Sequence, residues 1–149
     1  MPDSIRADHF ADYLGLVALD FQEKPLEPSL RECVPVVRQS VRDNFTSSAT
    51  PEGIDWPVRN EVGDGHPLLI DTGKLLQASV GSGAGSITEI TDRSLRVGVD
   101  GDIVPYAAIH NYGGVKRPMP KREYMGAKPE HLDECGDLIA DFVVREFFE

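Results

Sequence analysis

The histidines are the first residues to consider for chemistry, because imidazole serves both as a metal ligand and as a general base. They are His9, His66, His110 and His131, and none shows the HxxxH or HExxH spacing of a metal site. His110 stands in "PYAAIHNYGG" without a nearby serine or cysteine that could form a nucleophile–base pair with it. We therefore expect a half-buried His110 that hydrogen-bonds to backbone, and we predict no metal, no cofactor and no enzymatic activity.

A second chemistry is offered by Asp71 in the segment "LLIDTGK". An Asp-Thr-Gly turn after apolar residues resembles the motif that presents the catalytic carboxylate of aspartic proteases. A chain with one such motif would act as a homodimer whose two aspartates share a proton. Lys74 counts against this function, because the residue after the glycine is small in that family and a cation would disturb the dyad. The homodimeric aspartic protease remains the alternative function.

The residues that follow this turn point to a structural role instead. The sequence "LLQAS" has helical rather than strand character. Serine, threonine, aspartate and asparagine are the preferred N-cap residues of helices. We therefore predict that Asp71 or Thr72 is the N-cap of a short helix.

Length and composition indicate one soluble globular domain over residues 1–149, with residues 1–27 as a peripheral N-terminal extension. Hydrophobic residues make up 40% of the chain and charged residues 27%. The apolar runs are too short to span a bilayer, and the N-terminus carries acids where a secretory signal would carry positive charge. We expect the protein to be made and used in a cytosol, with Cys33 and Cys135 as buried thiols.

Charge is unevenly distributed along the chain. The net charge of −10 argues against a protein whose main task is to wrap nucleic acid. Residues 130–149 contain seven acids and one arginine, whereas residues 115–128 contain five bases and one acid. An acidic helix beside a basic loop favours head-to-tail contacts between subunits. A solvated loop beside a solvated helix face is the alternative interpretation.

The periodicity of apolar residues predicts the helices. One amphipathic helix covers residues 30–45, with Pro35 either kinking it or lying in its first turn. A second covers residues 132–147, and Pro129 suits its first turn. A less regular helix is predicted somewhere in residues 6–20.

Between the helices the pattern changes to alternation. "ITEITDR" and "SLRVGVD" are predicted to be paired antiparallel strands, with Asp92 and Arg93 near the hairpin tip. The preceding stretch of Pro, Gly and Asp residues is loop, and we expect Trp56 to pack from it onto the core. The predicted class is α+β, a small antiparallel β-sheet packed with amphipathic helices at the N- and C-terminal sides.

Four segments are informative through their order: "NFTSSATPEGIDWP", "PLLIDTGKLLQASV", "LRVGVDGDIVPYAAIHNYGG" and "MPKREYMG", which together span residues 44–126. This order resembles the phage virion morphogenesis family, the tail-completion and neck proteins of tailed phages. Its members typically show F…PdG…W, then LIDTGxLxxSI, then VGTxxxYAxIHqFGG, then PaRpFLG. The chain departs from these motifs at Asn111-Tyr112, where Gln-Phe is usual, and at Glu123, where the motif has its second proline.

The resemblance implies a structural protein at the head–tail junction, acting within a ring and without catalysis. Its partners would be other phage head–tail junction or tail proteins and further copies of the chain. Neither a specific nucleic acid nor a membrane would be a partner, and the protein would pass from the host cytoplasm into the virion. A host-encoded binding module derived from a prophage is a third hypothesis.

Within the matched motifs, certain residues are expected to have structural or interface roles. Gly113-Gly114 is expected to let the chain reverse where side chains would clash, with Tyr106 and Tyr112 anchoring the turn on the sheet. The full set is Trp56, Asp71, Thr72, Gly73, Tyr106, His110, Gly113, Gly114, Lys116, Arg117, Lys121 and Arg122.

Overall fold

The structure, a computed structural model, describes residues 23–59, 67–116 and 118–148. The helix predicted within residues 6–20 lies outside them, as do His9, His66 and Arg117. The described elements are the helices α1 (Glu27–Ser47), α2 (Lys74–Val80), α3 (Ala107–Tyr112) and α4 (Pro129–Phe147), and the strands β1 (Ser86–Ile90) and β2 (Leu95–Val99). The predicted α+β class is confirmed. Nowhere in these ranges is a helix both long and apolar enough to cross a membrane.

Helix α1 forms the centre of the fold and is longer than its apolar periodicity indicates. A proline occupies its first turn beside Glu27, where a missing N–H costs no intrahelical bond. Pro35 lies inside the helix rather than at its start. The helix ends at Ser48, which adopts a left-handed conformation with φ of 53° and donates its N–H to the carbonyl of Phe45. The predicted core side of this helix is confirmed at Val41 and Phe45, which are buried.

Strands β1 and β2 form the predicted antiparallel hairpin, in which Ser86 pairs with Val99 and Ile90 with Leu95. Arg38 of α1 fastens this hairpin to the helices. Its guanidinium donates to the carbonyls of Ser79 at 2.6 Å and Ile87 at 2.8 Å, and to the Thr88 hydroxyl at 2.8 Å. Burial lowers the pKa of Arg38, which is only 6% exposed. One buried cation therefore joins three elements.

Helix α4 packs against α1 through a pair of facing cysteines. Each thiol donates a weak hydrogen bond to the other residue's carbonyl, Cys33 to Cys135 at 3.8 Å and Cys135 to Cys33 at 4.0 Å. Burial and the neighbouring Cys135 raise the pKa of Cys33 to about 12. Both cysteines are free and buried, as predicted.

The hydrophobic core lies between α1, the two short helices and the loops that carry aromatic residues. Its buried members are Val41, Phe45, Trp56, Leu75, Ala78, Val104, Ala107 and Tyr124. The ring of Phe45 lies 5.7 Å from that of Trp56 and 5.3 Å from that of Tyr124. Trp56 also donates its indole N–H to the carbonyl of Glu123 at 3.0 Å. The prediction that Trp56 packs onto the core is confirmed, and its hydrogen bond ties two distant loops together.

Candidate functional site

The turn before α2 is built on glycine rather than on a side-chain cap. Gly73 is the N-cap residue, with φ of 80°, and no side chain caps the helix. The Thr72 hydroxyl lies 3.4 Å from the backbone nitrogen of Lys74, while Asp71 is exposed. The prediction that Asp71 or Thr72 is the N-cap is therefore wrong. A residue at this position needs positive φ, which glycine adopts without a steric penalty.

The turn after α3 reverses the chain as predicted, with the two glycines in different roles. Gly113 adopts φ of 81°, and its N–H donates to the carbonyl of Ile109 at 2.8 Å. A Cβ there would lie 3.2 Å from the carbonyl oxygen of Met119. Gly114 donates its N–H to that same carbonyl at 3.1 Å and closes a narrow loop.

Two buried polar residues, rather than the predicted tyrosines, hold this turn in place. Tyr106 is 39% exposed and Tyr112 74% exposed, so the prediction that they anchor the turn is wrong. The side-chain oxygen of Asn111 accepts hydrogen bonds from the backbone nitrogens of Tyr124 at 3.1 Å and Met125 at 3.0 Å. The Tyr124 hydroxyl donates to the carbonyl of Ala107 at 2.9 Å.

His110 is half-buried, as predicted, but it is held by its main chain. Its N–H donates to the carbonyl of Tyr106 at 3.3 Å, and its own carbonyl accepts from the N–H of Arg122 at 2.9 Å. Its side-chain Nδ1 is buried and has no hydrogen-bond partner among the described residues. The hydrogen bonds that His110 makes to backbone among the described residues therefore come from its main chain and not from Nδ1. Burial, and next the charge of Arg122, lowers the pKa of His110.

Arg122 is a buried structural cation rather than part of an exposed basic loop. It is 7% exposed and donates through Nε to the carbonyl of Pro57 at 2.9 Å and through Nη2 to that of Val58 at 3.2 Å. Burial, and next the charge of Arg59, lowers its pKa. The other members of the predicted loop differ: Lys116 is exposed, and Lys121 lies 3.5 Å from the Glu123 carboxylate.

A cavity of about 450 Å³ brings several of these residues together. The described lining consists of Arg59, Leu68, Leu69, Asp71, Thr72, Gly73, Lys74, Leu75, Tyr106, His110 and Arg122. Leu69 has φ of 62°, an unusual conformation for a bulky residue. The cavity therefore unites residues from the second, third and fourth of the ordered segments.

The remaining predicted residues lie elsewhere. Trp56 is in the core, and Gly113 and Gly114 form the turn after α3. Lys116 lies in the loop that the Gly114–Met119 bridge closes, and Val115 in the same loop is fully exposed. Sequence reasoning missed Asn111 and Tyr124. For Asn111, the sequence offered one signal, since Asn111-Tyr112 stands where the family motif usually has Gln-Phe.

Metal ligation finds no support in the described ranges, where no group of three or more His, Cys, Asp or Glu side chains lies close enough to hold an ion. His131 instead hydrogen-bonds through Nδ1 with the hydroxyl of Ser40. That hydroxyl also accepts the backbone N–H of Lys128 at 2.9 Å, at the start of α4.

A sequence model of the phage virion morphogenesis family matches residues 12–143. The chain belongs to this family. The match extends beyond residues 44–126, to which the four motifs point, and includes α1 and most of α4. No curated protein and no solved structure matches the chain.

Membership of the phage virion morphogenesis family gives the chain a structural or assembly role in the virion. In this family member, the Asp-Thr-Gly turn, the histidine turn and the arginine of the last motif line one cavity. Residues of the second, third and fourth motifs therefore meet at one place in the fold. Residues between 68 and 75 line this cavity together with His110 of α3 and Arg122.

Proposed function

We propose that this protein acts at the head–tail junction of a phage or prophage particle, as a tail-completion or neck protein. It acts without catalysis, within a ring of its own copies, and it contacts other head–tail junction or tail proteins. The observation that carries the proposal is the family match over residues 12–143. Residues 1–149 act as one domain in this proposal, with residues 1–27 at its periphery.

The loop closed by Gly114 and Met119 has the properties of a contact surface. Val115 is fully exposed and Tyr112 is 74% exposed, and Lys116 adds a cation beside them. The loop starts from a turn that the buried Asn111 side chain fixes by accepting two backbone hydrogen bonds. Exposed apolar and aromatic residues on a rigid support are typical of protein–protein contacts. We therefore assign this loop to a neighbouring subunit or partner.

Helix α4 supplies a surface of opposite charge. Its exposed acids are Glu130, Asp133, Glu134, Asp137, Asp141 and Glu146. Ring formation needs heterologous contacts, in which one surface of a subunit meets a different surface of the next. A basic, apolar loop and an acidic helix on the same chain satisfy that requirement.

Deletion of the gene in its phage or prophage tests this function. We expect filled heads and separate tails to accumulate, because a junction protein is needed only when the two are joined. Electron microscopy of the lysate measures this outcome, and a plasmid copy of the gene should restore joined particles. Joined, infectious particles from the deletion strain, or a block at head assembly, would contradict the proposal.

A further inference from the structure

The cavity between α2, α3 and Arg122 differs in charge from the chain as a whole. Its described lining carries the cations Lys74 and Arg122, with Asp71 as the acid, and it also includes Arg59, which donates to the carbonyl of Pro67 at 2.9 Å. The whole chain has a net charge of −10. Concave sites lined by one sign of charge concentrate ligands of the opposite sign. Lys74 and Arg122 therefore favour an anion in this cavity, although the chain as a whole has a negative net charge.

Arg122 has bonding capacity that the described residues do not use. It is 7% exposed, and its Nε and Nη2 donate to backbone carbonyls. Among the described residues Nη1 has no hydrogen-bond partner, and no carboxylate there forms an ion pair with Arg122. A buried cation that meets only neutral carbonyls is costly unless an anion approaches it. Nη1 is thus a donor available to a ligand in this cavity.

His110 adds a second buried polar group without a partner. Its Nδ1 lacks a hydrogen bond among the described residues, and its ring lines the same cavity as Arg122. Each of these groups has its pKa lowered by burial and then by a neighbouring cation, Arg122 for His110 and Arg59 for Arg122. The charge of Arg122 thus disfavours protonation of His110, and an anion beside Arg122 would offset that charge.

The rest of the lining is apolar and suits an amino-acid side chain. Leu68, Leu69, Leu75 and Tyr106 offer surfaces for methylene groups. The net charge of −10 on the chain opposes the approach of a polyanion such as a nucleic acid, whereas a single carboxylate brings only one negative charge. A carboxylate on a short aliphatic stem fits both the cationic and the apolar parts of the cavity.

We infer that this cavity binds the side-chain carboxylate of a single glutamate or aspartate of a partner protein in the assembling particle. The inference rests on the function proposed above. Arg122 Nη1 and Lys74 interact with the carboxylate, and the leucines contact its stem.

The test is a titration of the isotope-labelled full chain, followed by amide NMR, with N-acetyl-glutamate methylamide. We expect saturable shifts at Gly73, Lys74 and His110, with a dissociation constant on the order of 1 mM for so small a ligand. The isosteric N-acetyl-glutamine methylamide should leave these amides unchanged. Equal shifts with the glutamine compound would overturn the inference, because only the apolar lining would then be in use.

Two charge reversals of equal size separate specific from general electrostatics. Lys74→Glu changes the lining of the cavity, and Lys116→Glu changes an exposed loop outside it. We expect Lys74→Glu to weaken binding roughly 2- to 30-fold and Lys116→Glu to leave it unchanged. Equal weakening by both variants would contradict a site in the cavity. Both positions are exposed, so both variants should fold.

Inorganic phosphate and a short DNA duplex complete the test. Tighter binding of either probe at the same amides would overturn the carboxylate assignment in favour of a phosphate site. The titration uses purified protein alone, whereas the gene deletion reports on particle assembly. The carboxylate site and the junction function can therefore fail independently of each other.

Discussion

At the scale of the residue, positive φ values and buried polar atoms define the surroundings of the cavity. Gly73 begins α2 with φ of 80°, and a Cβ there would meet Gln77 Nε2 at 3.7 Å, an ordinary contact. Space is therefore available for a side chain, and only the backbone conformation excludes one. Asp71, two residues earlier, is exposed and caps nothing.

These two positions should differ in their effect on stability. We expect Gly73→Ala to lower the free energy of unfolding by about 1–2 kcal/mol, because alanine resists the left-handed region. Asp71→Ala should change it by less than about 0.5 kcal/mol, as at ordinary surface positions. Urea denaturation of both variants measures the difference. A larger loss for Asp71→Ala would restore a capping role to its side chain.

His110 should make stability depend on pH. Its pKa is lowered by burial, and next by the charge of Arg122, so the folded state favours the neutral imidazole. As the pH falls, His110 of the unfolded chain takes up its proton first, at about pH 6.5. The contribution of neutral His110 to the free energy of unfolding is therefore complete above about pH 6.5. It is lost as the pH falls through the lower pKa that His110 has in the folded state.

The variant His110→Gln should remove this part of the profile. We expect the urea midpoint of the wild type to fall more steeply than that of the variant between about pH 7 and pH 5. The two profiles should run parallel above about pH 7.5, where both states leave the imidazole neutral. Parallel profiles over the whole pH range would show that folding does not change the pKa of His110.

At the scale of the element, Arg38 joins α1 to the end of α2 and to β1. Its three acceptors belong to Ser79 in α2 and to Ile87 and Thr88 in β1. A second contact is made at the other end of the hairpin, where the N–H of Leu26 donates to the carbonyl of Asp92 at 2.8 Å. The two-stranded sheet is thus held against α1 at both ends.

Replacing Arg38 should weaken the whole fold. We expect Arg38→Ala to lower the free energy of unfolding by about 2–4 kcal/mol, because buried acceptors lose charged donors and a cavity remains. Arg42→Ala, one turn later and exposed, is the matched control and should cost less than about 0.5 kcal/mol. Urea denaturation compares them. A similar small loss for both would mean that the hairpin does not depend on Arg38.

The helices and strands could be predicted from the sequence because the apolar residues on the buried face of each element recur at a regular spacing. Helices α1 and α4 and the hairpin follow from spacings of three to four and of two residues. The buried polar contacts could not be predicted in this way. Arg38, Asn111 and Arg122 bind carbonyls or amides that lie far away in sequence or in irregular segments, and no local pattern reports such partners. Arg122 was assigned to an exposed loop for this reason.

At the scale of the whole molecule, charge is segregated between the acidic α4 and the loop after α3. Arg122 is buried and is therefore left out of the charge-reversal experiment, which changes Lys116, Arg117 and Lys121. Each exposed pair contributes about 0.2–1 kcal/mol, so association of the isolated chain should be weak and should decrease with salt.

We expect the triple reversal of Lys116, Arg117 and Lys121 to glutamate to weaken self-association roughly 3- to 150-fold at low salt. Sedimentation velocity at about 0.05 M and about 0.5 M NaCl measures it, since salt should diminish the difference between wild type and variant. A control reverses the exposed Arg31, Arg42 and Arg96, which lie on α1 and β2. Equal losses in both triple variants would show a dependence on net charge alone.

The facing cysteines of α1 and α4 allow the separation of these two helices to be measured by thiol labelling. A thiol reagent cannot reach Cys33, which is 2% exposed, until α4 moves away, and the raised pKa of Cys33 keeps the reactive thiolate scarce in the closed state. The labelling rate under native conditions therefore counts the openings of this helix pair. If a neighbouring subunit covers α4 on assembly, the same two sulfur atoms will react more slowly in the particle than in the free chain.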